Sequence, residues 1–315
     1  MGPRLTLTLL ADGVENPANL ARIHEAARLF GASCSTSTIG RLIAVENAPG
    51  ARDIYGRRPL RGDATLAVGN ERRGLSRRML AAADEVVVIP TQSRTVTTLN
   101  VAAAAAVAAW YVVRGSGPQG RARRPETRRP SLLMAGDDHV EVRSSLRSVA
   151  AFGFHEVLLE DRGAGWFGGS PAVRREARAA ARRHKNPLRV HRATLDIAAR
   201  YAEIVLVTPS GPGGPLQQEN LTRGSRQLVI IGTSPREIDA GATTRARIAT
   251  LGLEPATSAP LRLIASIILA EIARQVGRRH PTPGPVPRGP RYKKALMPMP
   301  AGEVLLVELS DLLAF

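Results

Sequence analysis

The residues with the most chemical content lie in two short stretches of the first half of the chain. One is Gly69-Asn70-Glu71-Arg72-Arg73-Gly74, directly after the apolar run 64–68. The other is Thr97-Thr98-Leu99-Asn100, which follows Ile89-Pro90 and opens the alanine-rich run 101–113. A glycine ending a strand lets a ligand approach the backbone closely. Gly69 and Gly74 would shape one such loop, and Pro90 would stiffen the next. Asn100, at the mouth of a helix, offers both a donor and an acceptor. Two kinds of nucleotide site are excluded, because the loop lacks the Lys-Ser/Thr of a P-loop and the GxGxxG of a dinucleotide fingerprint. Taken alone, the first stretch also reads as an ordinary strand–turn–helix with a solvated charge run.

A second signal is repetition. Residues 22–32 (RIHEAARLFGA) and 144–154 (SSLRSVAAFGF) share a helical apolar stripe that ends in Phe-Gly. Matching Gly31 to Gly153 sets Glu25 opposite Arg147 and Asn19 opposite Glu141. Further on, IIGTSPRE (230–237) stands against AVGNERRG (67–74), and Pro260 and Arg262 replace Thr98 and Asn100. The first half keeps the loop motifs, and the second keeps an arginine at the position that Glu25 holds in the first.

The elements that must position these residues alternate. The first half reads as a strand at 5–10, an amphipathic helix over 17–32 capped by Asn16 with Pro17 in its first turn, strands at 64–69 and 85–90, and a helix at 97–113. Residues 114–130, rich in Gly, Pro and Arg, read as a basic linker. The pattern then restarts. Strands are expected at 131–134, 156–160, 203–208 and 227–232, helices at 140–152, 171–184 and 258–276, and a Gly/Pro loop at 209–215. Such alternation predicts an α/β chain with mostly parallel sheet. The domain division expected is 1–113, a linker at 114–130, 131–277, and a basic, Pro-rich extension at 278–315 that is either disordered or adds an element at its end.

With NPANL (16–20) upstream, the two motifs resemble the SpoU/TrmH branch of the SPOUT RNA methyltransferases, over roughly residues 1–113. The resemblance implies a trefoil knot whose loops bind S-adenosylmethionine, with Gly69, Asn70, Glu71, Gly74, Ile89, Pro90, Thr98, Leu99 and Asn100 as the cofactor-binding residues. It implies Asn19, Thr98 and an arginine as catalytic residues, Thr98 standing where the family has Ser. The family's arginine position is Glu25 here, and Arg147 occupies it in the second half. Glu25 is then either a different general base or an ion-pair partner of Arg147, the latter being the expectation. Family members work as homodimers with the site at the interface. The chain therefore reads as two SPOUT-like halves in tandem, an intact one and a degenerate one, forming an internal pseudo-dimer with one active site. The competing reading makes the second half a scaffold. The helix glycine and strand glycine lie 38 residues apart in the first half (31 to 69) and 79 in the second (153 to 232). The first half thus looks trimmed by a strand–helix pair.

Composition bounds the partners. The 315 residues carry a formal charge of +17, and only three of the 44 Lys and Arg residues are lysines. Such a field favours a polyanion, RNA first, although an Arg-rich chain can also reflect a GC-rich genome. Aromatics at 3% disfavour base stacking on aromatic platforms. One cysteine excludes a disulfide framework and a four-thiolate zinc site, and the histidine spacing suggests no metal. The N-terminal apolar run is too short for a signal peptide and the run 101–113 too short for a membrane span, so a cytoplasmic location is expected. The expected activity is methyl transfer to a ribose 2′-hydroxyl of rRNA or tRNA. A small-molecule or peptide methyltransferase and a non-catalytic RNA-binding protein are the alternatives. Further oligomerisation is left open.

Overall fold

The computed structural model describes residues 6–93, 96, 98–117, 129–136, 138–161, 188–193, 195–232, 245–254, 259–277 and 304–307. The expected helix at 171–184 and most of the basic linker and C-terminal extension lie outside these residues.

The chain is α/β, with two sheets. The first contains β1 (Leu7–Asp12), β2 (Ser33–Cys34), β3 (Arg41–Val45), β4 (Arg52–Asp53), β5 (Ala64–Gly69) and β6 (Glu85–Val88), in the order β2-β1-β5-β3-β6-β4. All of its pairings are parallel. Helices α1 (Pro17–Arg28), α2 (Arg77–Ala82) and α3 (Val101–Arg114) accompany it. The second sheet contains β7 (Ser131–Gly136), β8 (Glu156–Asp161), β9 (Leu188–Arg192), β10 (Glu203–Thr208), β11 (Gly214–Pro215), β12 (Gln227–Ile231), β13 (Arg247–Thr250) and β14 (Val304–Val307). Helix α4 (His139–Ala151) follows β7, and the helix labelled α5 here (Leu261–Val276) follows β13.

Read from β8, the second sheet runs β8-β7-β12-β10-β13-β11. That is the strand order of the first sheet, strand for strand. The second sheet adds β9, parallel to β8, and β14, antiparallel to β9. Most of the difference in glycine spacing therefore falls between β8 and β10, where β9 has no counterpart among the described residues of the first half. Only six residues, 35–40, join β2 to β3.

Several boundaries move from the expected ones. The first strand starts at Leu7, and the first-half helix begins at Val101, because Asn100 caps it through Ala102 N. β6 ends at Val88, ahead of Pro90. Strands β2, β3, β4, β9 and β13 had no counterpart in the sequence reading, and β11 falls at the end of the expected Gly/Pro loop 209–215. They are two to five residues long, so they carry little periodicity of their own.

The halves are joined through helices. α3 buries Ala102, Ala105, Ala106, Val107, Ala108, Ala109, Trp110, Tyr111 and Val112 completely. It packs on α1 in its own half and on α5 in the other, while α5 packs on α4. One apolar cluster runs through all four helices. Its polar members are paired. Trp110 Nε1 donates to Leu251 O at 3.2 Å, and Tyr111 Oη donates to Glu271 Oε2 at 2.8 Å. Glu271, fully buried, also binds Arg274 and Gln275. Burial, reinforced by the Glu271 charge, holds the Tyr111 hydroxyl well above its usual range, so it stays a donor.

Two arginines at the ends of the linker make specific contacts. Arg114 donates to Gly252 O, and Arg129 donates to Gln92 Oε1 while lying 5.5 Å from the Phe154 ring centroid.

Removing one member of the Glu271 network strands the others. Glu271→Ala should lower stability by about 3–5 kcal/mol, because Arg274 keeps a half-hidden charge with no counterion. Urea unfolding of the full chain, followed by far-UV circular dichroism, checks this as a fall in the midpoint.

Candidate functional site

The site grows from the carboxyl ends of β1 and β5, which lie side by side with Asp12 opposite Gly69. Open α/β sheets place ligands outside such strand ends. The loop after β5 is tight. Asn70 and Gly74 exchange backbone hydrogen bonds at 3.1 and 2.8 Å, and Asn70 Oδ1 accepts from Arg72 N and Arg73 N. Asn70 Nδ2 donates to Gly13 O at 2.9 Å, tying the loop to the end of β1. Asp12 Oδ2 accepts from Ser76 N, and Glu46 Oε2, just past β3, accepts from Leu75 N.

Both motif glycines are required here. A Cβ on Gly69 would stand 2.2 Å from Gly74 C, and one on Gly74 would stand 2.4 Å from the Glu46 carboxylate. Gly74 also has φ +68°.

The second loop is held from both halves. Tyr55 Oη donates to Pro90 O at 3.0 Å. Gln92 N and Ser93 N both donate to Ala151 O at the end of α4, and Gln92 Nε2 donates to Ala273 O in α5. These ties bring the entrance of α3 against α4.

There a cavity of about 550 Å³ opens, within the range of small-molecule sites. Glu15, Asn16 and Asn19 line it from the start of α1, Asn70 to Arg73 from the first loop, Thr98 to Asn100 from the entrance of α3, and Arg147 from α4. The expected site residues Asn19, Asn70, Glu71, Thr98, Leu99, Asn100 and Arg147 thus meet in one place. Gly69, Gly74, Ile89 and Pro90 lie outside its lining and shape the loops behind it. Glu15 and Asn16 were not read as site residues. Their types signal only a helix entrance, and Asn16 caps α1 through Ala18 N.

Glu25 is not in this cavity, and its partner is not Arg147. It pairs with Arg262 at the start of α5. Arg262 reaches the other way to Glu141 on α4. Arg147 instead faces Thr98, whose carbonyl and hydroxyl oxygens lie 3.5 and 3.4 Å from Nη2. The charge expected beside Arg147 is taken by Arg262, which is equally deep and within reach of two carboxylates.

Arg147 is 7% exposed and, among the described residues, has no carboxylate partner. Burial alone lowers its pKa to about 10, so it remains a cation at neutral pH. Asn19, 1% exposed, donates through Nδ2 to Glu71 Oε1. Glu71 as a carboxylate only accepts, which fixes the amide and turns Oδ1 the other way. Asn19 Oδ1 and Arg147 Nε are both buried without a hydrogen-bond partner. One is an orphan acceptor and the other an orphan donor, on residues that line the same cavity. Groups so placed are costly to leave unpaired, and they define what a ligand there should offer.

Among the described residues no group of His, Cys, Asp and Glu is placed to hold a metal, and no helix is long and apolar enough to cross a membrane.

Gly69→Ala should force the 70–74 loop off the end of β1, at a cost of about 1–3 kcal/mol. Thermal melting compared with Gly56→Ala, where an added Cβ meets nothing within 4 Å, isolates the effect of the Gly69–Gly74 contact.

Residues 34–110 match the model of the SpoU rRNA Methylase family. No curated protein matches the chain. Among solved structures, a candidate RNA methyltransferase of the TrmH family from Porphyromonas gingivalis is similar to it at 22% identity, over 37% of this chain and 62% of that one, with a TM-score of 0.31. The span matched by the family model, about a quarter of the chain, holds the β5 loop, Pro90 and the Thr98–Asn100 entrance, and over that span the chain is similar to the SpoU rRNA Methylase family.

Proposed function

We propose that the chain is an S-adenosylmethionine-dependent RNA methyltransferase that methylates a ribose 2′-hydroxyl of rRNA or tRNA. The observation that carries this reading is the pair of orphans on one cavity. A hydroxyl both donates and accepts, so an alcohol in the cavity offers the kind of partner that Asn19 Oδ1 and Arg147 Nε each lack. An amine acceptor held as a cation would meet Arg147 as a like charge.

The residues fit the cofactor. The glycine-shaped β5 loop and the Ile89–Pro90 and Thr98–Asn100 segments would hold it, largely through backbone groups. The cofactor supplies an electrophilic methyl group on a sulfonium. The chain supplies the rest: Asn19 and Thr98 orient the acceptor hydroxyl, the buried Arg147 cation stabilises negative charge as it develops on that oxygen, and the hydroxyl proton leaves to water in the open cavity. Because Arg147 is held charged, electrostatic stabilisation suits it better than proton abstraction.

The arrangement reads as an internal pseudo-dimer of two knotted SPOUT-like halves. Support comes from the shared strand order and from the supply of pocket residues by both halves. RNA as partner is supported by the charge of +17 and by the exposed Arg72 and Arg73 on the lining of the cavity. A small-molecule or peptide acceptor is the second reading. The six-residue β2–β3 connection favours it, because it leaves less wall around the site than the corresponding 41 residues of the second half.

Transfer of labelled methyl groups to total RNA, and to an RNA-free extract, separates the two acceptors. Arg147→Ala should abolish turnover and leave cofactor affinity within about threefold, since it acts in the transition state. Near-normal turnover would make the second half a scaffold. Calorimetry should give one S-adenosylmethionine per chain, and two equivalent sites would contradict the reading. Asn100→Ala should weaken that binding more than Arg262→Ala does. RNA affinity should fall steeply with salt, and an affinity flat with salt would rule out a phosphate-led contact.

A further inference from the structure

Helices α1 and α4 each serve two clusters. α1 gives Asn19 to the open cavity and Glu25 to the Arg262 cluster. α4 gives Arg147 to the cavity and Glu141 to the Arg262 cluster. In both helices the two residues are six positions apart, about 9 Å along the axis. The clusters are counterparts. The Gly31–Gly153 match pairs Asn19 with Glu141 and Glu25 with Arg147. Helices α3 and α5 end at left-handed glycines, Gly115 and Gly277, and counting back from them pairs Asn100 with Arg262. One cluster is an open cavity whose arginine has no carboxylate partner among the described residues. In the other, two carboxylates bind the Nη atoms of Arg262, and its Nε alone is left without a partner.

We propose that Arg262 is a positioning residue for the open cavity, setting the spacing between Asn19 and Arg147 on its lining; this rests on the reading of that cavity as the methyl-transfer site. Arg262 is 7% exposed, and its two Nη atoms bind Glu25 on α1 and Glu141 on α4. Its backbone N–H donates to Glu141 Oε2 at 3.1 Å. Glu141 thereby caps α5, whose own N-cap, Pro260, offers no side-chain bond. Next to it, Ser148 and Ser266 share a 2.7 Å hydrogen bond, and Ser266 Oγ donates to Arg262 O. A planar guanidinium with two ends can fix two carboxylates at a set separation, which an ammonium cannot. Because α1 and α4 are rigid rods, a separation fixed at Glu25 and Glu141 is transmitted to Asn19 and Arg147. Loss of the clamp frees α1 more than α4, since the serine pair still holds α4 to α5.

The test uses the full chain with arginine labelled with nitrogen-15. The Arg147 Nε–Hε signal is assigned by its absence in Arg147→Lys. The triple variant Glu25→Gln, Glu141→Gln, Arg262→Met keeps the shape of the cluster and removes its charges, so no buried ion is left unpaired. In that variant the Arg147 signal should move or broaden. Methyl transfer to total RNA should fall about tenfold or more in kcat, with the KM for S-adenosylmethionine within about threefold. Arg262→Lys should recover part of both. An Arg147 signal and kcat unchanged in the triple variant would reduce the cluster to a brace for stability and overturn the proposal. If the triple variant fails to fold, Arg262→Lys decides: a wild-type Arg147 signal there overturns the clamp, and a displaced one supports it. Absence of methyl transfer by the wild-type chain would remove the functional reading, while the Arg147 signal would still decide the clamp.

Discussion

The constraint on which the rest depends is that α3 cannot be wetted. Its residues 101–113 are all apolar, and nine of those from Ala102 to Val112 have no exposure at all. In a single α/β half, a helix beside a sheet can turn one face to water. This one is apolar all round, so it needs a second covering. α5 provides it, with the same character and its own buried run from Leu263 to Ile272. The alanines allow close approach, and the polar exceptions, Trp110, Tyr111 and Glu271, are each satisfied across the contact. The two halves are therefore parts of one core, and the groove beside the α3–α5 contact is fixed in shape.

That groove is where the chemistry collects, because the same contact determines what lies at the helix entrances. The start of α3 presents Thr98 to Asn100 to α4, and the start of α5 presents Arg262 to α1 and α4. In the first case the buried cation, Arg147, meets only hydroxyl and carbonyl oxygens, which accept hydrogen bonds without neutralising charge. In the second, Arg262 meets two carboxylates. Burial lowers the pKa of both arginines, and for Arg262 the Glu25 charge works against that effect. A buried ion with good partners is quiet. One without them is available to a ligand.

Much of this site was legible in the sequence. Asn19, Glu71, Thr98, Asn100 and Arg147 were all singled out from motif and alignment, and all line the same cavity. Their legibility has a physical cause: Gly69, Gly74 and Asn100 are demanded by backbone geometry and capping, which local sequence encodes. The partner of Glu25 was not legible. Arg147 and Arg262 are both arginines in the second half, and the choice between them depends on which helix entrance faces α1, a matter of packing between distant segments. The short strands β2, β3, β4, β9 and β13 were missed for a related reason. β3 sits between β5 and β6, so its five residues are set by their neighbours on each side and carry little periodicity.

The two clusters also explain why the charges are permuted rather than repeated. If position 25 were an arginine like its counterpart Arg147, it would face Arg262 with Arg22 already nearby on the same helix, and Arg22 already opposes the Arg262 charge. Arg262 would then lose one of its two bound carboxylates and gain a like charge, at a depth where an uncompensated charge is expensive. With Glu25 in place, Arg262 is bracketed and the cluster closes on itself. A single chain holding both clusters can make this exchange at one and not the other, because each cluster draws on different positions of α1, α4 and the two helix entrances. An assembly of two identical chains would carry the same residues in both clusters. The asymmetry that leaves Arg147 facing an open cavity is thus a property that only a covalently joined pair of unlike halves can hold.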